Sequence, residues 1–85
     1  MTEMELNLLL LRYNMLSKKR ATTAYIWKRT GESVRDESKW SECVNEMTKI
    51  GADLRRYGYK LAYADSKTAG KARYNVYKII PMNNH

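Results

Sequence analysis

Gly58 separates two kinds of periodicity, and that boundary constrains the fold of this chain more than any other feature. Before it, Trp40, Cys43, Val44, Met47, Ile50, Leu54 and Tyr57 recur at steps of three and four, the spacing of a helix with one apolar face. After it, Tyr59, Leu61 and Tyr63 alternate with Lys60, Ala62 and Ala64, the spacing of a strand. Glycine suits the residue that follows a helix, because the left-handed backbone required there carries no Cβ penalty. Residues 65–71 carry turn chemistry, and 73–80 return as a second strand rich in Tyr, Val and Ile. A helix running into a basic, tyrosine-rich hairpin is therefore expected at the C-terminal end.

Two helices are expected upstream of that one. The first covers about 3–17, with Thr2 as cap and Glu5 completing a capping box. Leu6, Leu9, Leu10, Tyr13 and Leu16 share one face, and Leu8, Leu11 and Met15 broaden it until the helix is apolar nearly all round. Such a helix either sits at the centre of a core or shares a face with another subunit, and central burial is the expectation. Residues 17–21 read as a basic turn. A short helix over 24–30 follows, capped by Thr22 or Thr23 and ended by Gly31, with Ile26 and Trp27 turned inward. Residues 32–37 read as a polar connection, and Asp36 or Ser38 caps the third helix, which lasts to 57. Gly51 lands on the apolar stripe of that helix, where it costs about 1 kcal/mol relative to alanine. A second helix crossing closely explains it best, with a kink as the alternative.

An 85-residue chain holds one domain, 1–85, with one modest core. Its longest apolar runs fall short of the roughly 20 residues that span a membrane, and no signal-peptide pattern opens it. Cys43 is the single cysteine and His85 the single histidine. That leaves no disulfide framework, no ordinary Cys/His zinc site and no Ser/His or Cys/His catalytic pair inside the fold. There is no phosphate-cradling glycine loop either, so no enzyme activity, cofactor or metal is expected, and a reducing cytoplasm is the natural setting. The informative quantity is charge. At a formal +7, seven cations face only Glu32 over 12–35, and seven more face only Asp65 over 55–80. Such a distribution attracts a polyanion, most often a phosphate backbone. The opposing reading is a merely solvated basic surface.

TTAYIWKRTG (22–31), ADLRRYGYKL (52–61) and ARYNVYKI (72–79) together resemble the winged helix-turn-helix superfamily of bacterial and phage DNA-binding proteins. The resemblance implies an α+β fold of three helices followed by a two-stranded C-terminal wing. It implies a third helix in the major groove of double-stranded DNA and a wing on an adjacent groove or backbone. By position, the recognition face is Ser38, Ser41, Asn45, Lys49 and Arg56, and the wing contacts are Lys67, Lys71 and Arg73. The connection over 32–37 is longer than the usual three- to four-residue turn, so Thr48 and Lys49 offer a second starting register.

These residue types fit the chemistry. Asn45 suits adenine and Lys49 suits guanine, against ordinary solvent exposure for both. Lys67, Lys71 and Arg73 suit phosphate, and Lys18, Lys19 and Arg20 can hold a neighbouring phosphate or simply solvate a turn. Tyr59, Tyr63, Tyr74 and Tyr77 are expected as cross-strand packing pairs rather than a stacking platform for bases. Cys43 is expected as a small buried hydrophobe. The function expected is a small DNA-binding regulator or recombination accessory factor of phage or mobile-element type, with a homodimer through the N-terminal helix as one possibility. The alternative is a small basic inhibitor or adaptor that occupies an acidic groove on a host protein.

Overall fold

The computed structural model describes residues 1–31 and 34–82 as two long helices followed by an antiparallel hairpin. Helix α1 spans Glu3–Arg29, helix α2 Val34–Arg56, strand β1 Tyr59–Ala69 and strand β2 Ala72–Pro81. The α+β class and the terminal hairpin match expectation, but there are two helices where three were expected. The side chains of Glu32, Arg35, Asp36 and His85 lie outside the described residues.

The missing boundary is the supposed turn at 17–21. Between Glu3 and Arg29 no glycine or proline interrupts the helical ladder, and the first glycine is Gly31, with φ of 84°. The polar run that suggested a turn is helical for specific reasons. The Thr22 hydroxyl bonds back to the carbonyls of Lys18 and Lys19, both at 3.1 Å. Ser17 is fully buried and donates to the carbonyl of Asn75 at 2.7 Å. Thr23 is buried as well. Polarity here reported bonding partners rather than a bend. Thr22 and Thr23 are thus mid-helix residues and cap nothing. The Thr2–Glu5 capping box forms as the sequence requires.

Helix α2 also begins earlier than expected. Val34 is already helical, so Asp36 and Ser38 both lie inside the helix and neither caps it. At the other end Gly58 adopts φ of 83°, and the amides of Tyr57 and Gly58 close back on the carbonyls of Leu54 and Arg55 at 3.1 Å. The helix stop is where the sequence put it.

The core gathers Leu16 of α1 with Cys43, Met47, Ile50 and Leu54 of α2, and Leu6, Leu9, Tyr13, Tyr59, Leu61 and Ile79 pack around it. Both strands of the hairpin outrun expectation. Residues 65–69 pair rather than turn, and the connection is only Gly70–Lys71, with Gly70 at φ of 62°. The register runs from Tyr59 opposite Pro81 to Ala69 opposite Ala72, and it slips by one residue between Tyr63 and Asp65. Ala64 is the extra residue of that bulge. Beyond the bulge the ribbon still lies along α1: Ser17 bonds to the Asn75 carbonyl, and Ala72 next to the turn is buried.

Helix α1 packs on both α2 and β2, whereas α2 meets the hairpin mainly through β1. The molecule is elongated, 46 × 25 × 22 Å, because α1 alone is about 40 Å long. Central burial of α1 is overturned. Its Leu16 face is covered, but Met4, Leu8, Leu11 and Met15 remain 73, 60, 60 and 57 % exposed.

Candidate nucleic-acid interface

Where α2 and the hairpin diverge, they leave a groove of about 470 Å³ floored by α1. Tyr13 and Arg20 come from α1, Thr48, Gly51 and Arg55 from α2, and Lys60 and Tyr77 from the hairpin. Three cations from three elements thus line one concavity, and no acidic residue lines it. The Tyr13 and Tyr77 rings meet edge to face, with centroids 5.1 Å apart. Burial holds the Tyr13 phenol above its ordinary pKa and the neighbouring Tyr77 adds to this, while Arg20 and Arg55 pull in the opposite direction. Both guanidinium groups are therefore close enough to act on the phenol.

Gly51 opens this groove. The close helix crossing expected there is absent: a Cβ built on Gly51 meets nothing within 4 Å. On α2, Val44, Thr48, Gly51 and Arg55 descend one flank at steps of three and four. A residue without a side chain on that flank leaves the channel unfilled. Arg55 and Lys60 belong to the basic run over 55–80, but nothing local in the sequence places them together with Arg20. The flank containing Gly51 is the signal that could have found Arg55.

The expected interface residues scatter. Lys18, Lys19 and Arg20 do not form one basic turn, since successive helical residues point about 100° apart. Lys18 and Lys19 are exposed, and only Arg20 reaches the groove. Lys19 and Lys49 instead stand near Glu46, whose carboxyl Arg12 holds below its ordinary pKa through a hydrogen bond; the two lysines add a smaller pull. Arg12 reaches Glu46 across the helix pair, its Nη2 3.0 Å from Oε1 and 2.7 Å from Oε2. Glu46 is therefore tied to α1 through Arg12.

On α2, Ser38, Asn45, Lys49 and Arg56 are exposed along one ridge, as the sequence suggested, with Ser41 half-buried. At the hairpin tip Lys67, Lys71 and Arg73 are all exposed. Lys67 pairs with Tyr74 and Arg73 with Thr68, so strand alternation sets Lys67 and Arg73 on opposite faces of the ribbon. At about 3.3 Å per residue, the tip lies on the order of 30 Å from Lys60. The tyrosines divide: Tyr59 and Tyr77 pack inward, while Tyr63 is 58 % exposed opposite Tyr77. Cys43 is buried, as expected.

Among the described residues Arg12–Glu46 is the one ion pair, so the cations lining the groove have no carboxylate partner there. No helix among those residues is long and apolar enough to cross a membrane. The class these features define is a two-helix α+β unit whose terminal hairpin and second helix enclose a cationic groove. Compared with models of known families, with curated proteins and with solved structures, the chain matches none.

Proposed function

We propose that this chain binds double-stranded DNA, holding its phosphates in the groove between α2 and the hairpin. The observation that carries this reading is the convergence of Arg20, Arg55 and Lys60 on one concavity without an acidic neighbour. Guanidinium groups bind phosphate in bidentate fashion, and Lys60 adds a point charge beside them. Lys67, Lys71 and Arg73 at the ribbon tip supply a second grip on the backbone. The exposed ridge of α2 then faces the duplex, with Asn45 and Lys49 toward base edges. The role proposed is that of a small regulator or recombination accessory factor.

Anisotropy of a labelled random duplex, titrated at several salt concentrations, tests the proposal. Log affinity should fall with log salt at a slope of several, about 0.9 per phosphate neutralised. Arg20→Gln with Arg55→Gln should flatten that slope by about two and weaken binding to every sequence alike. Lys71→Ala with Arg73→Ala should act the same way, whereas Asn45→Ala should change sequence preference. Duplex binding that is absent even at low salt would overturn the proposal and favour an acidic protein groove as the target.

A further inference from the structure

The sequence of α1 carries two apolar faces, and the fold covers only one. Leu6, Leu9, Tyr13 and Leu16 turn to the core. On the opposite side Met4, Leu8, Leu11 and Met15 are all more than half exposed. Their steps of four, three and four are the seam spacing of a two-stranded coiled coil. Singly exposed apolar residues need no explanation, but four in register along three turns do.

The charges beside this seam specify what covers it. Glu3 and Glu5 flank its beginning, and Arg12, Lys18 and Lys19 flank its end, all of them exposed. Turn a second α1 antiparallel about a two-fold axis between Leu8 and Leu11. Leu8 then meets the partner's Leu11, and Met4 meets the partner's Met15. Glu5 falls toward the partner's Lys19, and Glu3 falls beside the partner's Lys18. A parallel pair would instead set acidic turn against acidic turn and Lys18 against Lys18. The antiparallel arrangement also opposes the two helix dipoles favourably. Two such faces together bury on the order of 1,000 Å², the lower bound of a specific interface.

We propose that the exposed face of α1 is a self-association surface, on which two copies of this chain pair antiparallel through Met4, Leu8, Leu11 and Met15. The interface is isologous, so it closes at two chains and leaves no open seam. It stands independently of DNA binding, because none of its four apolar residues lines the groove.

Sedimentation equilibrium on the full chain tests the stoichiometry. At protein concentrations on the order of 100 µM the mass should be twice the 10.0 kDa of one chain. Leu8→Glu with Leu11→Glu should weaken association about a hundredfold or more, with the helical circular dichroism retained. Lys18→Glu with Lys19→Glu should weaken it about tenfold, by setting acid against acid. Orientation is read separately by oxidative cross-linking, since Cys43 is buried. Met4→Cys combined with Met15→Cys should form dimers, whereas Met4→Cys alone should not. A chain that stays monomeric at that concentration, or efficient cross-linking through Met4→Cys alone, would overturn the proposal. So would a monomer whose α1 face binds lipid vesicles or a different protein.

Discussion

Asn14 does for β2 what a third strand would do. Its side-chain amide accepts the Tyr77 N–H at 2.8 Å and donates to the Tyr77 carbonyl at 3.1 Å. One turn on, Ser17 meets the Asn75 carbonyl. An unpaired strand edge invites pairing with other chains, and these two polar residues of α1 close part of it. Asn14→Leu keeps the volume but leaves both Tyr77 groups without partners. We expect a loss of about 1–3 kcal/mol in urea unfolding, read from a lower midpoint at unchanged slope. Gly51 carries the opposite expectation. With nothing within 4 Å of its Cβ position, Gly51→Ala should raise stability by about 0.5–1 kcal/mol through helix propensity, seen as a higher Tm.

Between elements, the α1–α2 pair is joined by the Leu16 core and by Arg12–Glu46 at its rim. That ion pair is half exposed, with side-chain accessibilities of 54 and 41 %, so solvent screens it. Its contribution shows in pH dependence. The Arg12 hydrogen bond holds the Glu46 carboxyl below its ordinary pKa in the folded chain. A depressed folded value means the stabilisation is fully present above the ordinary carboxylate range. It is lost as pH falls through the lowered folded value. Glu5, lowered by its hydrogen bonds to Thr2, adds a second contribution of the same sign. Melting temperature should therefore fall with acidification over that window, and Glu46→Gln should flatten part of the fall while leaving that of Glu5. An unchanged profile in the variant would assign the acid sensitivity elsewhere.

At the scale of the whole molecule, α1 is the scaffold to which everything else is attached. One side of it carries α2, an adjacent side carries β2, and the groove lies where those two diverge. Its remaining side is the exposed apolar seam. The cations of the groove and those of the ribbon tip lie on the order of 30 Å apart along β1. This geometry makes the DNA titration informative about more than affinity. If both zones touch one duplex, groove and tip substitutions should each flatten the salt slope, and together they should flatten it additively. A tip substitution without effect would confine the contact to the groove.

The sequence by itself determined the elements governed by local chemistry. Gly58 stops α2 because only glycine takes that φ freely, and Thr2 with Glu5 starts α1 because their side chains satisfy free amides. The stripe through Cys43, Met47, Ile50 and Leu54 marks the core because burial follows helical period. What failed were inferences from polarity. The run 17–21 looked like a turn and Thr22 like a cap, yet Ser17 and Thr22 find partners in β2 and in the preceding turn of the same helix, and no local signal reports a strand arriving from 58 residues away. The same limit applies to the groove and the seam. Which face of an all-round apolar helix is covered, and which cations converge, depends on how α2 and the hairpin are set against α1. Only tertiary packing decides that, because it selects among faces that are equally apolar in the sequence.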